Sequence, residues 1–499
     1  MSRRVSYPKK SRRSFGPPSN RRRVAPVGLS NVKGRPQPLP LLATSVALAL
    51  LGDLLLRGAS WGVNIGLWAV VVGLAALALT RPTRTEKGFG AVVLGFALLF
   101  ALRDSDSLRI ANGFAMALAL GALLLPATGR LLRDASVSRL LGAPLVGVGT
   151  LATEAYDLGL RARDARQASP EAGRRGKAIL RGLLFAAPLL LVFGGLFASA
   201  DAVFRGQVES LGRFDFDLEV AWGHLLTFAM GVVLVAGLFH HFAFRQEGPP
   251  VATKDAAGKV GIMEIGIVLG SMGALFGSFL LVQFRFLFGA ESVVRATNGL
   301  SYAEYARGGF FELVAVAGLT LVVVAGAGAL LRRERPLDET LYRWLGRILG
   351  AMVFAIVASA LMRMRLYTEA FGLTELRVYA TVLMLWLTLA FVWLFVTTLA
   401  GTPRRFGFGL FAAGLAVIFA TNLANPDRII VQTNLAKPQA DFEYLKGLGD
   451  DAVVALREMG DAVPEAHRAA ATNLVRDRTK AATKGDWREL DLARWSLSH

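Results

Sequence analysis

The 499-residue chain contains no cysteine. That absence excludes disulfide staples, thiolate nucleophiles and cysteine-ligated zinc or iron–sulfur centres. Histidine is scarce, with five residues, and charge is thin: 19% of residues are Asp, Glu, Lys or Arg, where a soluble domain carries about 25%. Acidic residues are the scarcer sign, 37 against 56 basic ones, which gives a net charge of +19. No phosphate-binding loop, HExxH zinc signature or nucleophile elbow is present. What fills the chain is apolar: 54% of residues are hydrophobic, gathered in long blocks. A nucleic-acid binder spreads its basic residues over a soluble fold. Here they sit between apolar blocks, the pattern of membrane topology, so no nucleic-acid partner is expected.

A bilayer core needs about 20 apolar residues per helix, and open strands cannot cross it because their edges would leave backbone polar groups unpaired in hydrocarbon. The expected fold is therefore all-α: a polytopic transmembrane bundle of about eleven spans, near residues 39–57, 62–80, 87–103, 109–125, 182–200, 221–241, 262–284, 308–331, 345–363, 378–399 and 406–423. Counting Lys and Arg tests this division. With the N-terminus in the cytoplasm, inside segments hold 33 and the five short outside loops hold 11. The expected location is a cytoplasmic (inner) membrane, crossed many times, with the C-terminus outside. Residues 137–160 are moderately apolar but contain Glu154 and Asp157. As a span they would carry six basic residues outward, so an interfacial or re-entrant helix on the inner side is expected.

The organisation that follows has five parts. Residues 1–38 hold eleven basic residues and no acid and read as a disordered cytoplasmic tail. Each of its cations near anionic lipid head groups adds about 1 kcal/mol of attraction. Its basic stretch is too long for a secretory signal, so the first helix is expected to stay as an anchor. Residues 39–125 form a four-span bundle, 126–181 a basic loop with the interfacial helix, and 182–423 a seven-span core. Residues 424–499 read as a small helical extracytoplasmic domain, with a Gly-Asp-Asp break after a short helix, a stop at Gly460 and a helix start at Pro464. It has too few large apolar residues to fold alone.

An ionisable residue at a span centre costs about 2.5–3.5 kcal/mol, and nearly all such residues here fall in the outer third of their spans. Asp53 is followed one turn later by Arg57, a spacing that allows a pair. Asp201 ends the fifth span and Arg285 the seventh. Tyr302, Glu304, Tyr305 and Arg307 precede the eighth, with Glu312 one turn in. Arg363, Arg365, Glu369, Glu375 and Arg377 surround the turn between the ninth and tenth, and Asn422 and Asn425 close the eleventh. Singly, each reads as a snorkelling or interfacial residue. Together they predict an outward-facing network of Arg–carboxylate pairs between spans seven and ten. Histidines 240 and 241, adjacent on one helix, point apart and are not expected to bind metal. Gly266, Gly270, Gly273 and Gly277 suit close helix packing. Pro188 is the one obvious kink. No catalytic residue and no cofactor is expected.

Several stretches carry a family resemblance: RGLLFAAPLLLVFGGLFASADAVF (181–204), LVQFRFLFG (281–289), GLSYAEYARGGFFELVAV (299–316), SALMRMRLYTEAFGLTELRVYA (359–380), NPDRIIVQTNL (425–435) and DFEYLKGLGDDAVVAL (441–456). Over roughly residues 180–460 the chain resembles the bacterial membrane proteins grouped as domain of unknown function 4173, close to the group numbered 4153. Phe371 stands where that pattern has Tyr. The resemblance implies a bacterial membrane location and supplies no catalytic residue. Three functions remain: a non-enzymatic scaffold or envelope sensor, a small-solute permease, and an enzyme on a lipid-linked substrate using Asp201, Glu304 or Glu312. The lack of any nucleophile, metal or nucleotide motif weighs against the third. The lack of helices broken at their centres weighs against the second. The first is preferred.

Overall fold

The computed structural model describes residues 36–125, 135–167, 218–244, 258–288, 310–437 and 441–499, and residues Gln37–His499 form one compact unit. Among the described residues there is no strand, only one isolated bridge between Val260 and Leu331. The basic tail, the expected span at 182–200, its Pro188 and most of the loop at 126–181 beyond residue 167 lie outside the described residues.

Among the described residues twelve α-helices build the bundle: α1 (Pro38–Leu56), α2 (Val63–Leu79), α3 (Arg84–Leu99), α4 (Asp106–Leu124), α5 (Val137–Leu141), α6 (Ala143–Gln167), α7 (Leu218–Phe244), α8 (Ile262–Phe288), α9 (Phe310–Leu330), α10 (Pro336–Phe371), α11 (Glu375–Val396) and α12 (Phe406–Ala424). Their ends follow local chemistry. Pro38 and Pro336 stand in the first turns of α1 and α10, where a missing N–H costs nothing. Thr83 and Glu86 form a reciprocal capping box at the start of α3. Gly372, at φ 78°, ends α10 in a backbone region that disfavours other residues.

Eight of these helices are long and apolar enough to cross a bilayer: α1, α4, α7, α8, α9, α10, α11 and α12. This is a multi-pass membrane protein. The span expected at 182–200 lies outside the described residues, so eight is a count of the described helices alone. The segments expected at 62–80 and 87–103 are helical, but α2 has only 17 residues and α3 only 16, the latter opening on Arg84, Glu86 and Lys87. α10, at 36 residues, is about 54 Å long and outreaches a hydrocarbon core of about 30 Å.

One core joins α8, α9, α10 and α11 through Leu269, Val324, Leu349, Val353, Met384 and Phe391. Another joins α1, α2, α6 and α7 around Leu41, Leu158, Val235 and Phe239. α12 bridges them, setting Leu415 beside Phe96 and Ala115 of α3 and α4. The glycines that permit close approach are not the expected stripe. A Cβ on Gly266, Gly270 or Gly273 would meet open space. Close approach occurs instead at Gly121, whose Cβ would overlap the Ala143 backbone, and at Gly237, where it would lie 2.5 Å from the Leu151 carbonyl oxygen.

The bundle has two different ends. At the proximal end, where α1 begins, α6 runs along terminal turns of its neighbours: Ala143 and Gly147 meet Gly121, Leu151 meets Gly237, and Arg161 lies over Phe244. At the distal end, five further helices gather: α13 (Pro426–Leu435), α14 (Phe442–Lys446), α15 (Asp450–Met459), α16 (Glu465–Ala482) and α17 (Leu492–Ser498). They share a core of Ile430, Val431, Leu445, Ala452, Leu456 and Val463, against which Leu373 and Val378 of the bundle pack.

Candidate functional site

The junction between the distal turns of the bundle and the C-terminal helices is the most polar buried region described. Asn425 makes the chain reverse there. It alone among the described non-glycine residues has positive φ, at 54°, a conformation Asn tolerates better than most residues. Its side chain accepts from the Arg428 backbone N–H at 3.1 Å, and Pro426 occupies the first turn of α13. Further on, Gly449 fits because a Cβ would collide with the Asp104 carbonyl oxygen. Asp450 and Asp451 then open α15, where a helix N-terminus favours negative charge.

The α3–α4 turn supplies the opposing groups. Arg103 donates from Nη1 to Asp451 Oδ1 at 3.0 Å and from Nε to the Asn422 carbonyl at 2.7 Å. The backbone N–H of Asp104 donates to Asp451 Oδ2, and that of Asp450 donates to Asp104 Oδ2, both at 2.9 Å. Arg109 pairs with Asp104 at 2.8 Å and stands 3.5 Å from Asp491 Oδ2. From the C-terminal side, Arg478 and Arg494 approach Asp450 at 3.0 and 3.2 Å. Asn425 donates to Asp451 at 2.9 Å. Beneath this layer, Asn112 of α4 and Asn422 of α12 exchange amide hydrogen bonds at 3.0 and 2.8 Å, both fully enclosed.

Asp104, Asp427, Asp450, Asp451 and Asp491 are all buried, and for the last four burial disfavours the charged form. Burial, reinforced by Glu375 and Asp451, raises Asp427 to about 7. Burial, reinforced by Asp104, raises Asp491 to about 7. Asp450 and Asp451 are also pushed up by burial, against the pull of their arginines. Asp427 Oδ2 accepts from the Gly449 N–H at 3.2 Å while its Oδ1 has no hydrogen-bond donor. Such an arrangement ties the α3–α4 turn to the C-terminal helices. Among the described residues no cluster of three or more His, Asp or Glu side chains is placed to hold a metal ion.

The residues singled out in the sequence are distributed unevenly. Asn422 and Asn425 belong to the junction. Glu375 borders it, its backbone N–H donating to Tyr444 Oη at 2.8 Å. Asp53 takes His224 Nδ1 at 2.6 Å rather than the expected Arg57, and Arg57 lies against Gly223. Arg365 and Glu369 pair at 2.8 Å along an exposed helix face. Arg377 is spent on the carbonyls of Phe371 and Gly372 and sits over the Tyr367 ring, not on a carboxylate. Glu312 is exposed in the first turn of α9. Arg363 lies on α10, and Arg285 in the last turn of α8. Asp201, Tyr302, Glu304, Tyr305 and Arg307 lie outside the described residues. A different Arg–carboxylate network, not foreseen from the sequence, joins the α3–α4 turn to the C-terminal helices. Asp104, Arg109, Asp427, Asp491, Arg478 and Arg494 escaped the sequence reading. The available signal was the alternation of opposite charges in LRDSDSLR, which does not announce a partner more than 300 residues away.

No curated protein and no solved structure matches the chain. A family model does, over residues 90–459, and its description is a domain of unknown function, DUF4153. This is the related group 4153 that the resemblance also named. The matched segment spans about three quarters of the chain, from α3 through α15, and contains both faces of the Arg103–Asp451 contact: the chain belongs to the DUF4153 family.

Proposed function

We propose that the protein is a non-enzymatic membrane scaffold and envelope sensor, in which the C-terminal helices are a cap clamped to the outer end of the bundle. The observation that carries this reading is the Asp–Arg junction. Its side chains mainly satisfy one another and the backbone of the opposing segment, an arrangement suited to fastening two parts. Because burial raises Asp427 and Asp491 to about 7, the clamp responds to protonation from the side that the cap faces. The buried Asn112–Asn422 pair supports the same reading: the two amides are used up on each other and are not presented to a solute.

In this reading the proximal end is cytoplasmic and the cap extracytoplasmic, in a bacterial inner membrane. The basic tail lies against anionic lipid head groups, and the side chains of the outward residues tie hairpins together. The test is topological and mechanical. Reporter fusions after His499 should be active only outside the cytosol, and the cap should resist protease until Arg103 or Asp451 is replaced. A cytosolic reporter signal, or a cap equally protected in both variants, rejects the reading.

A further inference from the structure

A second polar cluster lies at the proximal end, independent of the junction and of the function proposed for it. His240 and His241 close α7, and both are buried. Adjacent helix positions project about 100° apart, which from the sequence alone argues against a shared metal site. The structure brings one carboxylate, Glu154 of α6, against both: Oε2 meets His240 Nδ1, and Oε1 stands 3.6 Å from His241 Nδ1. Glu86 of α3 lies on the other side of the same ring, its Oε1 3.7 Å from His241 Nε2. Arg161 of α6 completes the row by donating from Nε to His240 Nε2 at 3.1 Å.

The protons can be assigned. A guanidinium nitrogen only donates, so His240 Nε2 accepts, and a neutral ring then carries its hydrogen on Nδ1, where it donates to Glu154. His240 is satisfied. His241 is not: each of its nitrogens faces a carboxylate oxygen, and neither has a hydrogen-bond partner. A neutral imidazole offers one N–H to these two acceptors and turns a lone pair toward the other. One added proton gives the ring two donors between two carboxylates and removes that conflict.

We propose that Glu86, His241 and Glu154 form a proton-binding site that fastens α6 across the proximal ends of α3 and α7. Glu154 is pulled down to about 2, first by its hydrogen bond to His240 and then by the neighbouring His241 imidazole. The added proton therefore resides on the imidazole, not on this carboxylate. From the described elements packed at this end, Glu86, Glu154 and Arg161 are the charged groups facing the two rings. α2 has no ionisable residue, and the one on α1, Asp53, lies at the distal end with His224. Loss of the proton as pH rises brings the lone pair back against a carboxylate, so α6 loosens on the alkaline side.

The absence of cysteine makes the test clean. Ala162→Cys places a thiol at a buried position of α6 and Tyr156→Cys one at an exposed position. In the reconstituted full chain, the ratio of their labelling rates by a water-soluble maleimide cancels the pH dependence of thiol chemistry. The ratio for Ala162→Cys over Tyr156→Cys is expected to rise about tenfold between about pH 6 and pH 9. His241→Gln should abolish that rise. Glu86→Gln, which leaves the ring a single carboxylate to serve, should flatten it as well and stands in should His241→Gln fail to accumulate. A ratio that is flat in the native background, or a rise that persists in either variant, overturns the proposal.

Discussion

Arg103 and Asp451 are 348 residues apart in the chain and 3.0 Å apart in the structure, both largely shielded from water. The pair fixes the α3–α4 turn to the first turn of α15. Removing one partner of a buried pair leaves the other charge uncompensated, at a cost of about 3–5 kcal/mol. Arg103→Ala and Asp451→Ala are therefore each expected to release the C-terminal helices to limited proteolysis, with new cuts between α13 and α15. The double replacement Arg103→Met/Asp451→Leu should lose less than either single alanine, because no orphaned charge remains. Equal protection of all four chains would remove the clamp from the account.

Asp427 and Asp491 give the junction a pH dependence whose sign is fixed by linkage. An unfolded aspartate titrates near about 3.9, whereas each of these sits at about 7 when folded. Between those values the folded protein holds more protons, so stability falls as pH rises from about 4 to about 7 and then levels. Asp427→Asn mimics the protonated carboxyl. It is expected to raise the melting temperature at pH 8 and to change it little near pH 4, read by thermal unfolding in detergent with protease protection of the cap as the local probe.

Asn112 and Asn422 test the bundle rather than the cap. Leucine at one position leaves the other amide buried without its partner, at about 1–3 kcal/mol. Leucine at both removes the polar demand altogether. The single variants should therefore unfold at lower temperature than the double variant. Near-additive losses in the double would show that the amides are not coupled.

Much of this fold is legible in the sequence because a bilayer imposes one length and one composition on every crossing. Ten of the expected segments are helices here, including the one that carries His240 and His241. The candidate site was legible only in part. Asn422 and Asn425 stand out because polar residues interrupt an apolar run, and that is a local signal. Asp491 carries no local signal, and the charge alternation around Asp104 names no partner, since in sequence both look like ordinary loop and cap residues. Their burial comes from the C-terminal helices folding over the α3–α4 turn, which is a tertiary fact. The glycine stripe on α8 misled for the related reason that spacing alone does not reveal what a helix face meets.

Two glycines separate packing from composition. At Gly449 a Cβ would overlap the Asp104 carbonyl oxygen and crowd Asp427 Oδ2. The first is backbone and cannot rotate away, so Gly449→Ala must push α15 from the α3–α4 turn and lengthen the Arg103–Asp451 contact. At Gly266, in the second turn of α8, the same methyl enters open space, and alanine within a helix is favoured over glycine by about 0.5–1 kcal/mol. Gly449→Ala should thus lower the melting temperature and open the cap to protease, whereas Gly266→Ala should leave the cap closed and the melting temperature equal or higher. Equal behaviour of the two variants would mean that the close approach at Gly449 does not hold the junction.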